Sequence, residues 1–283
     1  MENTTRNIQP DNTAIRTALW RALHVQADDK PHIIEDEVGF HLIKPEKDWQ
    51  ERPDMKYTKR LRASIVARAR FVEDVAREQM AKGVKQYVLL GAGLDSFAQR
   101  NAQISSQVDI YEIDQPGMLA WKEEKLTENG YRIPNNLHFV PVDFEHSSWW
   151  DELLNKGFDV HQKAVVSCTG VTLYLTGAAI AGTLEKMTLL APGSTIAIAF
   201  YLPLEWLDEE DRPLMEMAIK GAAASGTPFV SFFSTSEVVK LAEERGFKDI
   251  QTAATKDMAE RYFKNRADKL IPASGEFFLV AKV

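Results

Sequence analysis

The sequence predicts an α/β fold in which helices cover both faces of a mostly parallel, seven-stranded sheet. Three observations lead to this prediction: seven short runs of β-forming residues, helical patterns between most of these runs, and Gly or Pro at several junctions. Strands that alternate with helices pair in parallel, and the helices then cover both faces of the sheet. No helical pattern separates the last two runs, so we expect an antiparallel strand at one edge of the sheet.

The strand runs have the length and composition of buried strands. The first covers residues 84–90 and is followed directly by the glycine-containing segment 91–96. The other runs, in chain order, are 108–113, 137–142, 164–168, 195–200, 247–251 and 277–283. Val, Ile, Tyr and Phe are frequent in them, which favours strands over loops. We expect a single domain that spans residues 1–283, a length sufficient for a substantial core.

Helical patterns occupy the intervals between the strands. They cover residues 118–129, 178–190 and 235–245. The last pattern begins after Ser234, with Glu237 at the spacing of a capping box, and it ends before Gly246.

Two segments fall outside this alternation. Residues 1–57 have helical patterns interrupted by prolines, and we interpret them as an N-terminal helical cover. Residues 202–230 follow the fifth strand, and we interpret them as an inserted lid between the two core segments 58–201 and 231–283. An insertion at the carboxyl end of a strand lies at the edge where α/β sheets bind ligands. The alternative is that both segments are helices that pack on the outside of the core.

Charge and cysteine content narrow the function classes. The 34 basic and 41 acidic residues give a formal charge of −7, which argues against a nucleic-acid partner. No stretch approaches the roughly 20 apolar residues that span a bilayer, and the first six residues do not begin a secretory signal. The one cysteine, Cys168, excludes an internal disulfide and a cysteine-based metal site. We predict a cytoplasmic protein without a metal, and the oligomeric state stays undetermined.

Glycines after the first strand and acids at the end of the second indicate a ligand site. Gly91 and Gly93 allow a sharp turn and a close approach of the backbone to a ligand. Glu112 and Asp114 end the second strand about 20 residues further on, where a carboxylate can accept hydrogen bonds from ribose hydroxyls. This combination favours a nucleoside.

The third strand and the glycine segment specify which nucleoside. Asp143 ends the third strand and can meet an adenine amino group, while Phe144 can pack on the ring. A dinucleotide site would have a third glycine at residue 96, but this chain has Ser96, and Asp95 would repel a pyrophosphate. S-adenosylmethionine has no phosphate and carries an ammonium and a sulfonium. The pattern therefore favours this methyl donor over NAD.

An arginine upstream of the first strand interrupts an apolar helix face. The face steps by three or four residues and consists of Leu61, Ile65, Arg68, Val72 and Val75. An inward guanidinium needs an anionic partner. The carboxylate of the donor would supply one, and the alternative is a structural Asp or Glu. We assign the neighbouring Arg60 and Arg62, with Lys59 and Arg70, to a solvated face.

Four motifs resemble one family. They are QYVLLGAGLDS at 86–96, YEIDQP at 111–116, PVDF at 141–144 and GVTLYL at 170–175. In this order they resemble the leucine carboxyl methyltransferase family, and within it the bacterial branch of class I S-adenosylmethionine-dependent methyltransferases. The resemblance runs from about residue 16 to about residue 247 and implies a Rossmann-like methyltransferase fold. It also implies donor contacts: the carboxylate with Arg68, the methionine portion with Gly91 and Gly93, the ribose with Asp114 and Glu112, and adenine with Asp143 and Phe144.

One position departs from the family pattern. Where the family usually has a glutamate that faces the amino-acid end of the donor, this chain has Thr169. A threonine hydroxyl can bond an ammonium but supplies no charge. Either the affinity for the donor is lower in this chain, or a neighbour such as Asp95 compensates. The departure also argues against methylation of a protein C-terminal carboxyl group.

Aromatic and apolar residues near the fourth and fifth strands suggest the acceptor site. Tyr174, Phe200 and Tyr201 follow or end these strands, and Trp206 and Met215 belong to the lid. Such a lining suits an aromatic or otherwise apolar small molecule.

The chemistry required of the protein depends on the acceptor. Methyl transfer from a sulfonium is an in-line displacement that mainly needs alignment in a dry pocket. A carboxylate acceptor needs no base, whereas a hydroxyl needs one, and His146 is the candidate that the sequence offers. We predict O-methylation of a small molecule. The alternatives are an NAD-dependent oxidoreductase and a non-catalytic donor-binding protein.

Overall fold

The computed structural model describes residues 12–144 and 146–283. The first eleven residues of the expected helical cover, and with them the segment examined for a secretory signal, lie outside the described residues. No helix within the described part is both long enough and apolar enough to cross a membrane. The described residues also include no group of three or more His, Cys, Asp or Glu side chains placed to hold a metal ion.

The strands form one sheet. Their bounds are β1 Gln86–Leu90, β2 Asp109–Asp114, β3 Leu137–Pro141, β4 Ala164–Cys168, β5 Thr195–Tyr201, β6 Lys248–Ala254 and β7 Glu276–Lys282. In the described residues the sheet has seven strands in the order β3-β2-β1-β4-β5-β7-β6. The first five in this order pair in parallel, and β7 runs antiparallel to both β5 and β6. The predicted seven-stranded, mostly parallel sheet is confirmed.

The antiparallel end of the sheet differs in detail from the prediction. The reversed strand is β7, which lies one position in from the edge, and β6 is the edge strand. A helix over Thr255–Tyr262 joins β6 to β7, although the sequence suggested no helix there. Asp257 caps its start by accepting the Ala254 N–H, and Met258 is buried. The helix was missed because only a few of its residues are apolar.

Helices precede the sheet and connect its strands. Those before β1 are α1 Asn12–Ala27, α2 Val38–Ile43, α3 Pro53–Lys56 and α4 Lys59–Ala81, with a 3-10 turn over Trp49–Glu51. Those after it are α5 Phe97–Arg100, α6 Ala102–Ser105, α7 Pro116–Glu128, α8 Trp149–Asn155, α9 Gly177–Met187, α10 Arg212–Ala224, α11 Thr235–Glu244 and α12 Thr255–Tyr262. The capping box predicted for α11 is present: Ser234 and Glu237 bond each other's backbone N–H.

The two faces of β5 determine which side chains can reach the site. Ile196, Ile198 and Phe200 face the larger core, while Ala197 and Ala199 face the side covered by α4. Successive side chains of a strand point to opposite faces, so Tyr201 follows the alanines onto the α4 side. Small side chains on this side let α4 approach the sheet closely.

Candidate functional site

The glycine segment after β1 is fastened to the end of β2. The N–H groups of Gly91 and Ala92 donate to the Ile113 carbonyl over 2.9 and 3.1 Å, and the Gly93 N–H donates to Asp114 Oδ2 over 2.6 Å. Gly91 and Gly93 have φ values of +76° and +49°, which glycine adopts without a steric penalty. The structure thus brings together both glycines and the acid predicted for the ribose.

Gly91 also allows the segment after β4 to approach. A Cβ atom built at Gly91 would lie 2.2 Å from Val171 Cγ2, far inside van der Waals contact. The Val171 side chain, three residues after the end of β4, therefore packs against the Gly91 backbone at the end of the neighbouring β1, where a side chain would collide with it. Thr169 and Gly170 lie in the same segment, directly after β4.

The two acids of β2 have different surroundings. Glu112 is completely buried and accepts from Lys122 Nζ of α7 over 2.5 Å, while its Oε1 has no hydrogen bond among the described residues. Burial raises the pKa of Glu112 to about 7. Asp114 is only half-buried, at the sheet edge. Asp114 is therefore the better placed of the two for a ribose, and Glu112 holds α7 to the strand beneath it.

The third predicted acid lies next to Asp114. The Val142 N–H donates to the Asp114 carbonyl over 2.9 Å, so Asp143 follows directly at the same edge. Phe144 beside it is 38% exposed, so its ring is accessible for packing on a ligand. His146 Nδ1 donates to Asp143 Oδ2 over 3.0 Å.

The position of His146 does not favour a role as base. β3 lies three strand positions from β4, which corresponds to about 14 Å at the usual spacing of strands. The methyl end of the donor is expected at the opposite end of the site, near β4. His146 is instead highly exposed and lies at the adenine end of the predicted site.

Asp95 and its neighbours attach the N-terminal cover to the glycine segment. Asp95 Oδ1 accepts the Phe97 N–H over 2.8 Å at the start of α5. Ser96 Oγ donates to Asp36 Oδ2 over 2.7 Å, and Arg21 of α1 donates to both Asp36 and the Leu94 carbonyl over 2.6 Å. Burial opposes ionisation of Asp36, but the nearby arginines outweigh it and lower its pKa. The predicted cover is therefore bonded to the site, and only the fold reveals the part played by Asp36 and Arg21.

Arg68 occupies the position predicted from the helix face. It is largely buried, and its Nη1 donates to Tyr201 Oη over 2.7 Å and to Glu276 Oε1 over 3.1 Å. Burial opposes its charge, yet Tyr201 and Glu276 outweigh this effect and raise the pKa of Arg68. Its Nη2 makes no hydrogen bond within the described residues and lies beside Gly170, where an added Cβ would be 3.3 Å away. A structural acid and an available nitrogen are thus both present.

Two further arginines of α4 are not solvated as expected. Arg60 forms a two-bond ion pair with Asp211, and Arg62 forms one with Asp28. Asp211 also accepts the Ser274 N–H over 2.7 Å. Because Asp211 precedes α10, these bonds hold the inserted segment against the first turn of α4, about two turns before Arg68.

The inserted segment forms an apolar cluster beside Tyr201. Its buried members are Leu173, Tyr201, Leu207 and Met215, and the half-buried ones include Tyr174, Phe229 and Phe232. Three of the predicted acceptor residues, Tyr174, Tyr201 and Met215, are therefore neighbours. Phe200 is not, because it points to the other face of the sheet and packs on Phe233 and Phe277.

The remaining lid prediction lies outside this cluster. Trp206 is 58% exposed, in a 3-10 turn over Leu204–Trp206, so it does not line a pocket in this arrangement. Cys168 is fully buried in the main core at the end of β4, as a small core residue would be. Burial raises its pKa to about 12, so it is not a nucleophile at neutral pH.

The residues at the carboxyl edge of the sheet fit an S-adenosylmethionine-like group. Gly91 and Gly93 expose backbone, Asp114 lies at the end of β2, and Arg68 Nη2 is available for a carboxylate. The polar groups thus have the order that a zwitterionic nucleoside needs, from adenine at β3 to the amino-acid tail at β4. No third glycine and no other anion-binding turn for a pyrophosphate accompanies them in the described segment 91–97.

Comparisons with known proteins identify the family of the chain. The family model for leucine carboxyl methyltransferase matches residues 14–188, more than half of the chain. YktD of Bacillus subtilis, named as a candidate S-adenosyl-L-methionine-dependent methyltransferase, is 34% identical over 206 residues, which are 72% of this chain and 67% of YktD. A relative of Mycolicibacterium paratuberculosis with the same description is 38% identical over 149 residues, which are 52% of this chain and 46% of the relative.

Solved structures share the fold. A candidate methyltransferase from Thermobifida fusca has a TM-score of 0.59 at 14% identity, covering 98% of this chain and 96% of its own. A DUF574 family protein from Streptomyces avermitilis has a TM-score of 0.60 at 14% identity, covering 96% and 97%. The fold and family predictions are both confirmed. The chain belongs to the leucine carboxyl methyltransferase family of S-adenosylmethionine-dependent methyltransferases.

Proposed function

We propose that this protein methylates an oxygen atom of a small, apolar molecule. The observation that carries the proposal is the apolar cluster of the inserted segment, which packs against Tyr201 next to Arg68. Leu, Met and aromatic side chains in this position would contact an apolar acceptor and exclude water from the methyl group.

The protein residues would act mainly by holding the reactants. S-adenosylmethionine, when bound, supplies an electrophilic methyl group on a sulfonium. Arg68 would bind the carboxylate of the donor, and Asp114 would accept hydrogen bonds from its ribose. Gly91 and Gly93 leave room for the thioether chain. Tyr174 and Met215 would hold the acceptor on the other side, so that its oxygen is aligned with the methyl group.

The surroundings of the cluster favour an acceptor that is already anionic. Two ionisable groups beside the cluster, Tyr201 and Glu276, are already hydrogen bonded to Arg68. Burial raises the pKa of Tyr201, so its hydroxyl stays protonated and cannot take a proton from the acceptor. A carboxylate or an acidic phenol would need no base, so these are the acceptors that we propose.

Transfer of a labelled methyl group tests the proposal. The protein would be incubated with methyl-labelled S-adenosylmethionine and a panel of apolar carboxylic acids, phenols and aliphatic alcohols, together with a peptide ending in leucine. We expect transfer to acids or acidic phenols and none to the alcohols. Transfer to the peptide alone would support a protein carboxyl acceptor instead. Tight binding of S-adenosylhomocysteine without any transfer would favour a non-catalytic binding protein, and enhanced NADH fluorescence would favour an oxidoreductase.

A matched pair of variants tests the lid. Met215→Ala removes a buried side chain of the cluster, while Met217→Ala removes an exposed one from the same helix. We expect Met215→Ala to raise the KM for the acceptor and leave that for the donor unchanged. Equal effects of the two substitutions would contradict the proposed position of the acceptor.

A further inference from the structure

Glu276 is a buried acid that the reversed strand brings to the site. It is the first residue of β7 and pairs with Tyr201, the last residue of β5. Because β7 runs opposite to β5, its first residue lies at the edge where β1, β4 and β5 end. Glu276 is only 6% exposed. An acid at this position is thus a consequence of strand direction rather than of any motif near the glycine segment.

A closed triangle of hydrogen bonds fixes one oxygen of this acid. Glu276 Oε1 accepts from Arg68 Nη1 over 3.1 Å and from Tyr201 Oη over 3.0 Å, and Arg68 Nη1 also donates to Tyr201 Oη over 2.7 Å. The backbone is held as well, because the Glu276 carbonyl accepts from Thr255 Oγ1 over 2.6 Å. The second carboxylate oxygen, Oε2, has no hydrogen bond within the residues that the structure describes.

The guanidinium of Arg68 is likewise hydrogen bonded through only one of its nitrogen atoms in the described residues. Its Nη1 makes both hydrogen bonds, and its Nη2 lies beside Gly170 after β4. The ion pair therefore leaves Nη2 of Arg68 and Oε2 of Glu276 without a partner in the described structure. An α-amino acid group carries an ammonium and a carboxylate on a single carbon atom. A guanidinium and a carboxylate side by side are complementary to both of these charges.

We propose that Glu276 binds the ammonium group of the methyl donor, with Tyr201 and Arg68 holding it in position. The inference rests on the proposed function, in which Arg68 binds the carboxylate of the same donor. The inference adds a binding partner for the ammonium of the donor, to which Thr169 offers no opposite charge. The competing acid is Asp95, one of whose carboxylate oxygens already accepts the Phe97 N–H over 2.8 Å.

Four ligands distinguish the binding contribution of the ammonium from that of the carboxylate in the amino-acid tail of the donor. They are S-adenosylhomocysteine, its analogue without the carboxylate, its analogue without the amino group, and methylthioadenosine, which has neither. Calorimetric titration gives each dissociation constant for the wild type and for Glu276→Gln, which has the same shape. We expect Glu276→Gln to weaken the two amine-bearing ligands by about 10- to 100-fold, the usual effect of one charged hydrogen bond. The two ligands without the amine should change by less than about threefold.

Two further variants, Tyr201→Phe and Asp95→Asn, serve as controls for Glu276→Gln. Binding of methylthioadenosine shows that each variant is folded. Tyr201→Phe removes one bond that holds Glu276 but leaves its charge, so it should weaken the same two ligands by less. Asp95→Asn is the matched control for the competing acid, and we expect no selective loss of amine-bearing ligands.

Three results would overturn the inference. An equal loss for all four ligands in Glu276→Gln would mean that this acid only supports the fold. A selective loss in Asp95→Asn and not in Glu276→Gln would assign the ammonium to Asp95. If the wild type itself binds none of the four ligands, the proposed function fails, and the inference fails with it.

Discussion

The contact between Gly91 and Val171 gives a quantitative prediction. Gly91→Ala places a Cβ at 2.2 Å from Val171 Cγ2, whereas carbon atoms in contact are about 3.5–4.0 Å apart. An overlap of this size forces Val171 or the backbone after β4 to move, at a cost of about 1–3 kcal/mol. The left-handed φ of +76° adds about 1–2 kcal/mol for any residue with a Cβ. The expected loss in the free energy of unfolding is therefore about 2–5 kcal/mol.

Gly130→Ala is the matched control. Gly130 has nearly the same φ, +72°, but a Cβ there would meet nothing within 4 Å. In this variant the free energy of unfolding should fall only by the cost of the left-handed φ, about 1–2 kcal/mol. Urea unfolding followed by tryptophan fluorescence measures both values. The double variant Gly91→Ala, Val171→Ala should recover the contact part, because the colliding methyl group is gone.

Two results would refute the reasoning. Equal losses for the two glycine variants would show that β1 and β4 do not meet as closely as the structure indicates. A double variant that loses the sum of the two single effects would show that Val171 is not the obstacle. Binding of S-adenosylhomocysteine, measured on the same samples, should weaken in Gly91→Ala and stay unchanged in Gly130→Ala, since only the first turn lies at the site.

Three further predictions concern buried polar groups. Burial raises the pKa of Glu112 from 4.5 to about 7, so the folded state keeps a proton that the unfolded state releases. The free energy of unfolding should therefore fall as the pH rises through this interval. Urea unfolding of Glu112→Gln at several pH values should show a weaker dependence of this free energy on pH. The same dependence in the variant and the wild type would contradict the raised pKa of Glu112. Asp36→Ala leaves the buried Arg21 without its acid, while Arg100 keeps its ion pair with Glu73, and should cost about 3–5 kcal/mol of stability; a loss below about 1 kcal/mol would show that water replaces the acid. Ser234→Ala removes the cap of α11 and should lower stability by about 1 kcal/mol, visible as a lower urea midpoint, while no shift would mean that the cap is not formed in solution.

The parts of the site that could be predicted lie close together along the chain. Gly91 and Gly93 follow β1, and Asp114 ends β2. The apolar runs of both strands are evident in the sequence, and the expected roles of the three residues come from the rule that ligands bind at the carboxyl edge. Arg68 stood out because it interrupts a helix face with a period of 3.6 residues. Local signals of this kind depend only on neighbouring residues, so a single sequence carries them.

The parts that could not be predicted depend on contacts between distant residues. Glu276 follows Arg68 by more than 200 residues, and nothing around it suggests a ligand. Phe200 and Tyr201 were predicted to share a pocket, but adjacent residues of a strand point to opposite faces, and only Tyr201 faces α4. Asp36 and Arg21 were not predicted, because their contacts with the site depend on how the N-terminal helices pack against it.

The sequence by itself determined the fold class, the order of the strands along the chain, and the glycines and acids that end them, because apolar periodicity and turn residues act locally. Only the tertiary structure decided which strand is reversed and which charges become partners. The physical reason is that an isolated charge must find an opposite charge when it is buried, and packing of the whole chain selects that partner. For Arg68 it selected Glu276, at the far end of the sequence.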